Sequence, residues 1–438
     1  MSNKKIIANI YIIVSFVFIA AMIFIYGGRF IYFYNKSHVK EEIGETLFVD
    51  VINNLSYSNK MIKEENNIYY SGNTLNNYVY YSNRYFRIIG KEDNNLVLVD
   101  DGISTILSYN EDFSSSDINK WLNPNEEENT GIYYNSLNEP SKYLTTTKTC
   151  LDIYDSDGIT CNNYIETNVG MLSLNQYFKA SINGNYLNIS KNYLFSNKDG
   201  NNNNWYINSK NELGIANSNP LYGIRAVITL KDDVLYYGGS GTYYDPYFIS
   251  EEDALAFGQI ENKGIKIGSY IIYSDSIWRV IDKTDDYYKL ALNESIGEYE
   301  FSQDSIKFSL KDKKSLAYYL NNDYYDTLDN KLMKSSKFYI GSYENSYLDK
   351  YENEIEAYVG LLEIGDLFID DVENTYTLTN TGIKNTIFKV VDGKLYSDRY
   401  SSENDVRPVI FLDSNIKILQ GFGTLESPYE VGEAWEKN

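Results

Sequence analysis

The chain repeats itself, and this constrains its fold more than any other feature. Gly223-Ile224-Arg225-Ala226-Val227-Ile228-Thr229-Leu230 returns as Asp405-Val406-Arg407-Pro408-Val409-Ile410-Phe411-Leu412. A second signature follows each copy at the same distance. It is Gly239-Ser240-Gly241-Thr242, then Pro246-Tyr247, in the first copy, and Gly421-Phe422-Gly423-Thr424, then Pro428-Tyr429, in the second. These late motifs are offset by 182 residues, and early ones, such as Tyr81 with Tyr273 and Arg87 with Arg279, by 192. A repeat this long is a whole folding unit, so the chain reads as two related domains in tandem. The second is about ten residues shorter, which fits an insertion confined to the first.

Each unit opens with strand-length apolar runs around turn formers: Tyr78–Tyr81, Tyr85–Ile89 and Leu96–Asp100, then Tyr270–Tyr273, Ile277–Ile281 and Tyr287–Leu292. A helical middle is expected next. Trp121-Leu122-Asn123 is echoed by Tyr319-Leu320-Asn321, and Val169-Gly170 by Val359-Gly360, with helices expected to start at Ser173 and Glu363. The closing strands align Tyr193–Asn197 with Tyr376–Asn380 and Trp205–Ile207 with Ile387–Lys389. Leu47, Val51 and Leu55, four residues apart, predict a short amphipathic helix over 45–55. Ser250-Glu251-Glu252-Asp253 reads as the cap of a linker helix.

Residues 6–26 form an uncharged apolar run of 21 residues, which as a helix would reach about 30 Å, one bilayer core. Apolar residues continue past Ala20-Ala21, which argues against cleavage there and for an uncleaved anchor. The expected layout is a cytoplasmic tail 1–5, a transmembrane helix 6–26, a juxtamembrane stalk and short helix 27–56, a first repeat domain 57–250, a linker 251–264, a second repeat domain 265–432 and a tail 433–438. A short tail before a large body favours the body outside the plasma membrane.

The net charge of −22 excludes nucleic acid as a partner and argues against docking on anionic lipid. The 45 tyrosines are expected mostly in strands, ring buried and hydroxyl wet. Cys150 and Cys161 are the only cysteines and are expected to close a disulfide in an oxidising compartment. Free thiols or half of a metal site are the alternatives. The second unit lacks the pair, so the bond would staple the insertion.

No catalytic motif stands out. His38 is the only histidine and lies in the stalk, which removes histidine-based triads and metal sites from the folded body. Gly238-Gly239-Ser240-Gly241 lacks the lysine and helix of a phosphate loop and reads as a turn. Asp155-Ser156-Asp157-Gly158 fails the calcium-loop register, because Ile153 and Tyr164 stand where acids are needed. No cofactor or metal is therefore expected. Arg225 and Arg407 recur within strands. One reading is a guanidinium holding a carboxylate or sugar; the preferred one is a buried arginine, paired with an acid, that locks the last strand. Gly241, Thr242, Pro246, Tyr247 and their counterparts Gly423, Thr424, Pro428 and Tyr429 are read as structural. Trp121, Trp205 and Trp278 are candidates for a glycan surface or for core packing.

The pattern Gly-x-Arg-Pro-Val-Ile-x-Leu, then Gly-x-Gly-Thr-x-x-x-Pro-Tyr, resembles a family of uncharacterised surface domains from low-GC Gram-positive bacteria. That family is distantly similar to C-type-lectin-like and sulfatase-modifying-factor-like domains. The resemblance covers about residues 75–250 and 265–432, with Ala226 and Asp405 departing from it. It implies two tandem C-type-lectin-like α+β domains after the anchor. It transfers neither a calcium site nor cysteine oxidase chemistry. The expected role is binding, adhesion or surface assembly, with a glycan, wall polymer or protein as ligand. A carboxylate- or metal-dependent surface hydrolase and a structural spacer are the alternatives.

Overall fold

The computed structural model describes residues 43–54, 61–64, 67–73, 76–109, 112–153, 161–181, 184–216, 220–257, 264–341, 347–349, 353–369 and 372–433. The expected span 6–26, His38 and the Asp155–Gly158 turn lie outside them.

The expected α+β, lectin-like architecture is overturned. The chain is 41% strand and 15% helix, arranged in half-barrel sheets. Among the described residues no helix is long and apolar enough to cross a membrane. The physical reason lies in the residues themselves. Tyrosine and β-branched side chains fill many of the apolar positions and favour a pleated surface, and the described helices stay short. The expected helices are present at Asp117–Leu122, Leu174–Ala180 and Glu251–Phe257, and Leu316–Tyr319 runs on through the helical turns Leu320–Tyr324 and Tyr325–Thr327; all are short beside the sheets. The first amphipathic helix is Phe48–Asn54, and it buries Phe48, Val49 and Ile52, not the face of Leu47 and Val51.

In the first unit Tyr78–Tyr81 pairs with Arg84–Glu92, which pairs with Asn95–Asp100, which pairs with Ala226–Leu230. In the second, Tyr270–Tyr273, Ser276–Lys283, Tyr287–Leu292 and Val409–Asp413 follow the same order. The registers carry the sequence offsets: Val227 stands opposite Val99, and Val409 opposite Ala291. Each meander turns on two residues at positive φ, Ser82 and Asn83 or Ser274 and Asp275, the geometry that matches strand twist in a tight hairpin. The closing strands show a one-residue correction. Tyr193 pairs with Gly223 and Thr375 with Asp405, so Thr375, not Tyr376, is the counterpart of Tyr193.

The repeated motifs are parts of this frame. Gly239 sits at φ +92°, where an added Cβ would lie 1.8 Å from the Pro246 carbonyl oxygen; Gly421, at +94°, stands 1.9 Å from that of Pro428. Thr242 Oγ1 accepts the Asp245 N–H at 3.1 Å, and Thr424 Oγ1 that of Ser427 at 3.1 Å. The carbonyls of Gly241 and Gly423 accept from Tyr78 and Tyr270 N–H at 2.9 and 2.8 Å. The turn thus delivers Tyr247 and Tyr429, both buried, to parallel pairing beside the first strand of each meander. Asn123 and Asn321 play matched roles too. Each donates its amide to the carbonyl of Val169 or Val359 (2.8 and 2.7 Å) and accepts that residue's N–H (2.8 and 3.0 Å).

The two units are not independent. The hairpin of Thr386–Val391 and Lys394–Arg399 docks on Leu221–Ile224, extending one sheet to ten strands across both units. Gly223 N–H donates to the Gly393 carbonyl at 2.7 Å, and Asn192 N–H to that of Asp392 at 2.6 Å. A second crossing replaces the helix expected from Glu363. Ser173 and Gln176 form a capping box, and the helix Leu174–Ala180 follows. Glu363 N–H also reaches back to Asp366 Oδ2 at 2.8 Å, yet no helix forms. Gly365 turns at φ +84° and the chain runs into the first unit. There Trp121 Nε1 donates to the Gly365 carbonyl at 2.8 Å, Thr105 Oγ1 to that of Asp366 at 2.7 Å, and Phe368 N–H to that of Ser104 at 2.9 Å. Ile364, Leu367, Tyr339 and Tyr347 accordingly belong to the hydrophobic core of the first unit.

Candidate functional site

A cleft of about 840 Å³ opens where the units meet. Its first wall is aromatic. Tyr80 and Tyr85 stand opposite each other in the hairpin ladder, with ring centroids 5.2 Å apart. Phe257, at the end of the linker helix Glu251–Phe257, lies 5.1 Å from Tyr80. Tyr243 stacks on Tyr85 at 4.7 Å and 16°, and Tyr244 meets Tyr243 edge-on at 5.3 Å. Tyr244 is 87% exposed, at the end of a contiguous run of rings. The knob of the second signature explains its position: the turn closed by Thr242 and Asp245 leaves residues 243 and 244 pointing outward.

The opposite wall comes from the second unit: Tyr270, Arg279, Thr424, Leu425 and Glu426, with Phe368, Ile369 and Val372 from the crossing segment. Polar groups sit between. Asp101 lines the cleft and pairs at 3.6 Å with the buried Arg87, which lies outside the lining, 3.8 Å over the Tyr78 ring and donating to Asn77 Oδ1 at 2.8 Å. Arg279 covers Tyr270 at the same 3.8 Å but donates across the joint to the Asn83 carbonyl at 2.9 Å. Arg84 donates to Ser136 Oγ at 2.8 Å, while its buried Nε has no hydrogen-bond partner among the described residues. Asp100, at the floor, is raised above the ordinary carboxylate range by burial, against the pull of Arg84 and the Ser104 hydroxyl.

Rings offer apolar faces, and the carboxylates and guanidinium groups offer acceptors and paired donors between them. That combination suits a polyhydroxylated ligand with apolar ring faces. The second unit does not repeat the aromatic wall. Tyr80, Tyr85, Tyr243 and Tyr244 correspond to Ile272, Ile277, Leu425 and Glu426. The fold therefore does not need tyrosine at these positions.

Arg225 is fully buried and donates to backbone carbonyls: Asp100 at 3.1 and 2.8 Å and Leu187 at 2.7 Å. Arg407 Nε donates to the Leu292 carbonyl at 2.9 Å. Both hold strand ends through backbone carbonyls, and Arg225 also acts on the carboxyl of Asp100. Neither they nor the glycines, threonines, prolines and tyrosines of the motifs form a site, although Thr424 lies at the rim of the cleft. Cys150 and Cys161 form a disulfide with a Cα–Cα distance of 5.9 Å. With Asp152 they make the one cluster of potential metal ligands among the described residues, but both sulfurs are committed to each other. Trp121 and Trp278 are core residues, and Trp205 is half-buried away from the cleft. The cleft tyrosines were hidden by the abundance of tyrosine; comparing the two copies position by position would have found them.

No protein-family model, curated protein or solved structure matches the chain.

Proposed function

We propose that the protein is a non-catalytic binding protein of an oxidising compartment outside the cytoplasm, and that its inter-unit cleft takes a glycan chain. One observation carries this reading: the first unit lines the cleft with Tyr80, Tyr85, Tyr243 and Tyr244 where the second has isoleucine, leucine and glutamate. A duplicated fold that diverges in one unit at its most exposed ring is retaining that ring for contact, not for packing. Stacking of a pyranose on such a ring buries apolar C–H faces while the hydroxyls meet the interleaved charged groups. The disulfide supports the compartment. The strongly negative chain disfavours an anionic polymer, so the ligand is a neutral glycan.

The test exchanges residues for those the second unit already tolerates. Tyr243→Leu with Tyr244→Glu should leave the thermal midpoint unchanged and weaken binding to neutral polysaccharides, on a glycan array and by calorimetry, at least about tenfold. Equal binding by the exchanged protein ends the reading. Asp100 supports one second reading, a hydrolase with a raised carboxyl as its acid. Release of reducing ends from a bound glycan, abolished in Asp100→Asn, would favour it over binding alone.

A further inference from the structure

The second unit buries three charges that the first does without. Lys289, Glu363 and Asp366 are 4%, 6% and 6% exposed. Lys289 Nζ donates to Glu363 Oε2 and, at 2.8 Å, to Asp366 Oδ1. It also lies 5.8 and 5.6 Å from the ring centroids of Phe338 and Phe411. The remaining carboxylate oxygens are held by backbone: Glu363 Oε1 accepts the Tyr339 N–H, and Asp366 Oδ2 accepts the Glu363 N–H at 2.8 Å. By ladder register the counterparts in the first unit are Val97 for Lys289, and Ser173 and Gln176 for the two acids. The shared fold thus closes without any of these charges. Burying an ion triad costs several kcal/mol per ion before pairing returns it, so a triad the fold does not need calls for another use.

We infer that Lys289 and Asp366 are the partners of an intramolecular amide cross-link, with Glu363 as the proton relay. The three groups have the required chemistry and nothing else is consumed. In the resting triad burial pulls the amine down while the two carboxylates hold it up, so it stays protonated. Shifting one proton along the Nζ–H···Oδ1 hydrogen bond gives a neutral amine beside a neutral carboxylic acid, the pair from which attack can start. The Nζ lone pair then attacks Cγ of Asp366. Glu363 takes the proton released by nitrogen and returns it to the departing hydroxyl. The Nζ–Cγ bond forms, one Cγ–O bond breaks, water leaves, and Glu363 ends ionised as it began. No electron changes hands. The Glu363 N–H on Oδ2 polarises the carbonyl under attack and stabilises the oxygen that becomes negative in the tetrahedral intermediate. A cavity of about 500 Å³ borders all three side chains and gives the water an exit.

The position explains the use. Asp366 belongs to the crossing segment that plugs into the first unit, and Lys289 to the central meander of the second. The amide would fasten the crossing segment to the second unit's own meander, and so hold in place the stretch of chain that docks on the first unit through hydrogen bonds.

The test is the intact mass of the purified full chain, denatured and reduced. The expected mass is lower than that of the sequence by one water. A digest should contain one branched peptide joining the segments around residues 289 and 366. Lys289→Arg should keep the full sequence mass. The wild-type measurement needs no variant to fold. A wild-type chain at full mass, or a branch point mapped to another pair, overturns the inference.

Discussion

Gly238 and Gly239 are neighbours at positive φ, +118° and +92°, and they separate two costs that usually travel together. An alanine at either position adopts a backbone conformation that L-residues avoid, at about 1–3 kcal/mol. Only at Gly239 does the new Cβ also meet an atom, the Pro246 carbonyl oxygen at 1.8 Å; at Gly238 nothing lies within 4 Å. That overlap cannot be relieved by rotating a side chain, because the obstacle is backbone. It has to move the strand that carries Tyr247, which costs about another 1–3 kcal/mol. Gly239→Ala should therefore be less stable than Gly238→Ala by about 2 kcal/mol, or about 1 M in urea midpoint at an m-value near 2 kcal/mol/M. Urea unfolding followed by circular dichroism reads this directly. The same displacement moves the knob that carries Tyr243 and Tyr244, so Gly239→Ala should also lose glycan binding while Gly238→Ala keeps it. Equal midpoints for the two variants would refute the steric account of the motif.

Three further outcomes follow from the same contacts. Asn321→Ala leaves the N–H and carbonyl of Val359 without their partner, and should cost about 2–3 kcal/mol in urea unfolding, as should Asn123→Ala at Val169. Reducing the Cys150–Cys161 bond should destabilise the first unit by about 2–3 kcal/mol, with hydrogen exchange in the second unit's outer strands unchanged. Asp253, buried at the linker, has its carboxyl pushed up to about 6 by burial, although bonds from Ser250 and from the Ser82 N–H draw it down. The folded protein then holds a proton that the unfolded chain, with an ordinary aspartate, has released. Stability from this group is complete below about pH 4 and lost by about 3 kcal/mol as pH rises through 6, and Asp253→Asn should remove that fall between pH 4 and 7 in urea midpoints.

The duplication was legible because the late motifs keep backbone geometry that few residues can supply. Glycine at positive φ, the threonine that closes the turn and the asparagine that bridges a peptide group all recur for reasons readable in one copy. The helix at Glu363 was not legible. The Glu363 N–H finds the Asp366 carboxylate as the Ser173 N–H finds the Gln176 amide oxygen, but Gly365 and a docking surface on the first unit, around Ser104, Thr105 and Trp121, divert the chain. Local signals name a helix start; a partner surface decides whether the helix is built. The α+β expectation failed on proportion. The helices expected at 117–122, from Ser173 and at the linker are there but short, and the sheets, joined across the units at Tyr222 and Lys394, hold 41% of the chain against 15% in helix.

The two copies together say more than either does alone. Where they agree, as at Arg225 and Arg407 or Asn123 and Asn321, the structure finds hydrogen bonds to backbone that any copy of the fold must make. Where they disagree at buried or exposed positions of high cost, a requirement of the fold is excluded by the other copy. Exposed Tyr244 against Glu426 and buried Lys289 against Val97 are the two sharpest disagreements. Each would be unremarked in a single domain, the first as a surface tyrosine and the second as an ion pair. In a duplicated chain each has an internal control, folded in the same register a few nanometres away, that does without it. Binding at the cleft and the cross-link within the second unit are thus independent: exchanging Tyr243 and Tyr244 should not alter the mass of the chain, and Lys289→Arg should not remove the aromatic wall that meets the glycan.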